Sequence, residues 1–238
     1  MLSTGIRHWK LAVLILVVLF GGYLRFGAIQ NTEVRQPLRA DAREYASAAY
    51  NLAEYGIYSE SSLGARNQDP RPTAKRSPGF PIWMSVFLDP DDVRGSLDRI
   101  KWSHWFIGVL SLGFLAFLFH QLLPFWAALP ALFFAAISPH LVTINVYMLT
   151  EALFTFLLTA FCFSYWLFVK RASVCRGALV GGFLGLANLV RPTMILFAAP
   201  LAVFLLIRSA TKHTAMIAGL IVLVAIAIPL SWNIRNLV

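Results

Sequence analysis

The chain has 238 residues, 58% of them hydrophobic, a mean hydropathy of +0.69 and a formal charge of +9. So much unbroken apolar sequence excludes an ordinary soluble domain and predicts an all-α, polytopic membrane helix bundle. Nucleic-acid binding is excluded by where the charge sits: the stretch from Gly27 to Lys101 is neutral, with ten acids and ten bases, and the excess bases border apolar runs, as the positive-inside rule requires.

The first apolar run is "WKLAVLILVVLFGGYLRF", residues 9–26. Arg7, Lys10 and its short apolar centre also fit a signal peptide, but no small-x-small cleavage site follows, so an uncleaved span is expected. Residues 27–100 read as a long outer loop within a single membrane domain, 1–238. In it, "DAREYASAAYNLAEYG" (41–56) predicts an amphipathic helix, with Asp41 and Glu44 in a capping arrangement and Gly56 as the stop. Tyr45, Ala48, Ala49 and Leu52 share a face that rests on the membrane surface or on the bundle. "PGFPIWMSVFL" (78–88) is apolar but too short to cross a hydrocarbon layer of about 30 Å, and reads as interfacial or re-entrant.

Further apolar runs at about 102–120, 124–143, 149–169, 177–190, 192–207 and 214–231 bring the expected spans to seven, with Trp102, Trp105, Trp126 and Trp232 near their ends. A cytoplasmic N-terminus puts the basic loops at 170–176 and 208–213 on the same side. The long loop and the junctions near 140–148, 191 and 235 then face outward. Gly177, Gly181 and Gly185, four apart, predict close helix packing within the chain rather than a dimer face. Cys162 in an apolar run and Cys175 in a basic loop do not suggest a disulfide.

Seven charged residues are candidates for chemistry. Asp41 and Glu44 head the loop helix. Glu151 is the only acid after Asp98 and stands at the outer mouth of a span, where a carboxylate serves a function, caps the helix beside Thr150, or pairs with a base to fix two spans. Lys75 and Arg76 precede "SPGFP", Arg191 interrupts "LANLVRPTMILF" and Arg235 closes "PLSWNIR". Each base alone fits an interfacial snorkeller; together on one outer face they suit phosphate oxygens. Asp89, Asp91 and Asp92 read as a solvated turn around Pro90 rather than a metal cluster, and the histidines have no ligand spacing. No base or acid is expected in the middle of an apolar run, which weighs against a transporter.

The order "DAREYASAAYNLAEYGIY", "KRSPGFPIWMSVFL", "LTEALFTFLL", "LANLVRPTMILF", "PLSWNIRN" resembles the N-terminal membrane half of GT-C glycosyltransferases, in particular the protein O-mannosyltransferases and the lipid A aminoarabinose transferases. The resemblance implies a polyprenyl-phosphate-linked sugar as donor, used on the periplasmic or luminal side, with a bacterial inner membrane as the expected location. It implies that Asp41, with Glu44 in the same motif, is the catalytic base or orients it. It further implies that Arg76, with Lys75, contacts donor phosphate, while Glu151, Arg191 and Arg235 lie in family segments as substrate-binding candidates. No cofactor is implied, and a divalent metal is left open. Family members usually continue through more spans, so a fragment or minimal module is expected, completed by a C-terminal remainder or a partner subunit. The alternatives are a transporter or flippase of an anionic lipid or solute, and a non-catalytic lipid-binding subunit.

Overall fold

The computed structural model describes residues 2–61, 70–208 and 211–236. Among these the regular structure is helical: α1 (Leu2–Asn31), α2 (Asp41–Tyr55), α3 (Gly79–Ser85), α4 (Val93–Leu122), α5 (Phe125–Ile137), α6 (Pro139–Thr143), α7 (Glu151–Lys170), α8 (Val174–Val190), a 3-10 turn at Pro192–Met194, α9 (Ile195–Arg208) and α10 (Lys212–Arg235). Each apolar run expected to span is helical. Among the described residues four helices are long and apolar enough to cross a membrane: His8–Asn31, Val93–Leu122, Glu151–Lys170 and Lys212–Arg235. With 13, 17 and 14 residues, α5, α8 and α9 are shorter.

Local chemistry sets the boundaries. The run at 124–143 breaks at Ser138, whose side chain accepts from the Leu141 amide while Pro139 takes the first position of α6. Ser173 caps α8, and Thr211 and Thr214 cap α10 reciprocally. The long loop is shorter than expected, 32–92, because Asp92 caps α4 through the Gly95 amide and starts it nine residues before the apolar run. Arg99 reaches Asp92 at 3.5 Å and Asp89 at 4.0 Å, so two acids of the 89–92 turn are used in structure.

Asp41 is not the N-cap expected of it. Ala40 holds that position, with a positive φ of 52°, and Asp41 is the first helical residue. Its carboxylate takes the Arg76 guanidinium, an ion pair as well as a hydrogen bond, rather than a backbone amide. Gly56 does stop α2, in the left-handed conformation, with its amide bonded to Leu52. Of the two expected resting places, α2 takes the bundle: Ala42, Ala46 and Ala49 join a core with Phe80, Met84, Ile100, Met148, Leu153 and Val190. Its link is α3, which fills that core with Phe80 and Met84. Phe80 is fully buried, its ring 5.4 Å from that of Tyr45 and 5.7 Å from that of His104.

The glycine spacing produces the α8–α10 seam within the chain, as expected. A methyl group on Gly181 would lie 2.6 Å from the Ile221 carbonyl oxygen and 2.9 Å from Val224 Cβ. Gly181→Ala is therefore expected to force the helices apart and cost about 1–3 kcal/mol. Gly182→Ala, one residue away with nothing within 4 Å, should be neutral. Thermal unfolding in detergent compares the two, and equal melting temperatures would refute the seam.

One base does lie within an apolar run. Arg25 is only 2% exposed in α1 and donates to the carbonyls of Gly21 (2.9 Å) and Ala136 (3.2 Å), tying α1 to the end of α5. Nη1 makes both bonds and ties the two helices together, while Nε is buried without a partner. Both cysteines are free.

Successive long helices alternate in direction, so that α8 and α10 run parallel along the glycine seam, as do α1 and α5, and the charges are sorted to two ends. Lys10, Lys170, Arg171, Arg176 and Lys212 lie at one end, where Trp9 meets Phe125 at 4.9 Å. The side chains of Arg7 and Arg208 lie outside the described residues. At the opposite end the 32–92 segment covers the junctions 144–150 and 191 and the end of α10.

Candidate functional site

Two ion-pair groups face each other at the loop-covered end. In the first, Asp41 and Glu44, three apart on α2, converge on the base pair before "SPGFP". Arg76 donates from Nη2 to Asp41 Oδ1 at 2.6 Å and from Nε to Glu44 Oε2, and Lys75 donates to Glu44 Oε1. The Arg76 guanidinium also lies 5.7 Å from the Tyr45 ring centroid. Its backbone is anchored independently: the amide donates to Glu60 Oε1 at 2.7 Å, and Tyr58 donates its hydroxyl to the Arg76 carbonyl at 3.0 Å. The segment packs closely on α8, where a methyl on Gly79 would lie 2.8 Å from the Leu189 carbonyl.

In the second group, Arg191 at the end of α8 donates to Glu151 Oε1 at 2.5 Å and to Thr150 Oγ1 at 3.3 Å, crossing to the start of α7. Glu151 forms the ion pair that fixes two helices, and Thr150 is spent on Arg191 rather than on a cap. Glu151 Oε2 is buried with no hydrogen-bond partner.

Between the groups lies a cavity of about 380 Å³, lined by Asp41, Tyr45, Lys75, Arg76, Glu151 and Arg191 among others. Five of the seven candidates thus line one space. Glu44 stands behind it, both oxygens engaged in holding Lys75 and Arg76. Arg235 serves the loop: it donates to the Thr73 carbonyl at 3.0 Å and the Tyr58 carbonyl at 3.5 Å, and stacks 4.8 Å from Trp232. A second cavity, of about 280 Å³, adjoins the first across Lys75, Arg76, Ser77 and Pro192 and reaches Asn188 and Trp232. Sequence reasoning passed over Asn188; its signal was an amide in the apolar "LANLVR", three residues before Arg191 and so on the same helical face. Among the described residues no three His, Cys, Asp or Glu side chains group as a metal site.

The pairing sets the electrostatics. Hydrogen bonds from Lys75 and then Arg76 hold the Glu44 carboxyl below its ordinary value near 4.5, and the bond to Glu44 raises Arg76. Burial raises the Tyr45 phenol, so it stays protonated. The sign for Glu44 follows from its depressed folded value. Its contribution to holding the 75–77 segment is complete above about pH 4.5 and is lost as pH falls through the lower folded value. Protease protection of the outer loop in the wild type should therefore fail only below pH 4.5, whereas Glu44→Gln should lose it near neutrality. Identical pH profiles would show that the tether carries no load.

The sequence model of the dolichyl-phosphate-mannose-protein mannosyltransferase family matches residues 95–232. The chain belongs to this family. It is a GT-C-type membrane glycosyltransferase of the mannosyltransferase kind. No curated protein matches it. The matched stretch contains Glu151 and Arg191, while Asp41, Glu44, Lys75 and Arg76 precede it and Arg235 follows it. The mannosyltransferase match and the charged cavity thus overlap on the second ion-pair group, and the first reaches the cavity from outside the matched segment.

Proposed function

We propose that this mannosyltransferase-type protein takes its sugar from a polyprenyl-phosphate carrier and passes it to an acceptor on the periplasmic face of a bacterial inner membrane. The observation that carries the reading is the single cavity between Asp41–Arg76 and Glu151–Arg191, at the end of the bundle away from the basic loops. Bases at the other end favour the cytoplasm there, which leaves this cavity at the depth of an exoplasmic lipid phosphate.

In the reaction the acceptor oxygen or nitrogen attacks the anomeric carbon, and the bond from that carbon to the carrier's phosphate oxygen breaks. The acceptor's proton passes to Asp41. Its Oδ1 is held by Arg76, while Oδ2 accepts no hydrogen bond among the described residues. The phosphate goes from one negative charge as a diester to two as the leaving monoester. Among the described residues Arg76 and Arg191 each keep Nη1 outside the bonds that hold them in place, and Lys75 stands beside them. Fixed cations aimed at a group whose charge grows act more strongly in the transition state than in the ground state. The six ionised side chains sum to zero, three acids against three bases, so the phosphate enters a site without a repelling field.

The test is the purified chain in vesicles with a short polyprenyl phosphate bearing a radiolabelled hexose and a hydroxyl acceptor. Label moving to the acceptor, with the carrier staying in its leaflet, supports the reading. Movement of the carrier across the bilayer without transfer would make the protein a flippase, and carrier binding with neither event would make it a lipid-binding subunit.

A further inference from the structure

At the basic end of the bundle, away from the charged cavities, a third cavity of about 420 Å³ lies between α7, α9 and α10. Its size falls within the range of ligand pockets, about 300–1,000 Å³. Phe168, Val169, Ala172, Leu205 and Ala218 make its wall mostly apolar, and among the described residues no charged side chain lines it. Thr214, at its polar edge, spends its hydroxyl on the Thr211 carbonyl at 2.9 Å. Val169 and Phe204, 62% and 49% exposed, put the mouth on the outer surface of the bundle. Ala218 lies six residues into α10 from Lys212, so the cavity reaches about 9 Å below the charged level at a rise of about 1.5 Å per residue. Such a space suits a hydrocarbon chain that enters from the lipid.

The bases beside this cavity have no counter-charge. Lys170 and Arg171 stand between Val169 and Ala172, and Lys212 stands two residues before Thr214. Every acid of the chain except Glu151 falls within residues 33–98, and Glu151 starts α7 at the opposite end. Lys170 lies over the Trp166 ring, 5.4 Å from its centroid, and Arg176 Nη1 donates to the Leu167 and Arg171 carbonyls at 2.7 and 3.2 Å. Those contacts fix the 170–172 turn without cancelling its charge, and among the described residues no ion pair forms at this end. We propose that the cavity binds a glycerophospholipid with an anionic headgroup, its phosphate at Arg171 and Lys212 and one acyl chain between α7, α9 and α10. Surface bases attract anionic lipid through their field, and an apolar slot adds chain burial that the smooth outer face of a bundle does not offer. On the donor reading given above, the sugar carrier's phosphate sits at the other end of α7, whose 20 residues span about 30 Å. The occupant here is therefore a membrane phospholipid rather than the carrier.

Native mass spectrometry of the full chain in neutral detergent tests this, with dioleoyl phosphatidylglycerol and dioleoyl phosphatidylcholine as probes. The wild type should retain one phosphatidylglycerol and bind phosphatidylcholine about 25-fold more weakly. Arg171→Gln with Lys212→Gln, both at exposed positions, should remove that preference, about fivefold for each charge, and leave phosphatidylcholine binding unchanged. Ala172→Phe, outside the helices, should fill the cavity and weaken both lipids about tenfold, the worth of roughly two buried methylene groups. Should that variant melt early in lipid-free detergent, the surface charge variant decides alone. Equal wild-type affinity for the two lipids, or a preference that survives the loss of both charges, would overturn the site. Displacement of phosphatidylglycerol by an equimolar short polyprenyl phosphate would overturn it in favour of the carrier and leave the sugar-transfer reading standing. A lipid-free dimer that Ala172→Phe dissociates would overturn it in favour of a second copy of the chain.

Discussion

Asp41→Asn should lower sugar transfer by about 10²–10⁴-fold, the usual worth of a positioned proton acceptor, in a protein that folds and binds donor as before. The amide is nearly isosteric and still offers an oxygen to Arg76 Nη2, so the contact now 2.6 Å long survives as a neutral hydrogen bond. Arg76 keeps Glu44 as its second partner and Glu60 as its backbone anchor, so the loop stays in place. What the variant loses is a group able to take a proton. With Asp41 54% exposed to the cavity, no large change in burial energy accompanies the substitution. Transfer from a lipid-linked hexose by purified wild type and variant measures the ratio. A variant within threefold of the wild type would remove Asp41 from the chemistry and leave it as a positioning group for Arg76.

Arg191→Leu is expected to cost about 1.5–3 kcal/mol of stability and to abolish transfer. The arginine holds Glu151 and Thr150 together from across the α7–α8 junction, and Glu151 already has one oxygen buried without a partner. Removing the base leaves a half-buried carboxylate unpaired at the edge of lipid, which costs more than the bond itself was worth. The double variant Glu151→Leu with Arg191→Leu removes both charges and should recover most of the melting temperature without recovering activity. That split separates a pair needed for packing from one needed by the substrate. Recovery of activity in the double variant would make the pair purely structural.

Individual residues show how far the sequence could be read. Glu151 and Arg191 were legible because each interrupts apolar sequence, and a charge at the edge of lipid must be accounted for. Gly177, Gly181 and Gly185 announced a close helix contact by spacing alone. Asp41 was correctly placed at the head of a helix and wrongly made its cap: a carboxylate meets its nearest amide by default, and only the fold brings a guanidinium from 35 residues away to outbid it. Arg25 escaped notice because its partners are backbone carbonyls, which no sequence pattern reveals. Asn188 gave a faint signal, one amide among small apolar residues, and drew meaning only from the cavity beside it.

By itself the sequence determined the membrane class, the helical runs, the separation of basic loops from a long charge-balanced segment, and the identity of the charged candidates. These follow from hydropathy, periodicity and sparse charge, which act through neighbours close along the chain. The tertiary structure decided which candidates share a cavity, that Glu44 supports Lys75 and Arg76 from behind, and that Arg235 binds the loop. Those outcomes depend on contacts between residues tens to more than a hundred positions apart. Several donors and acceptors compete there for the same partners, and packing geometry alone selects which pairs form.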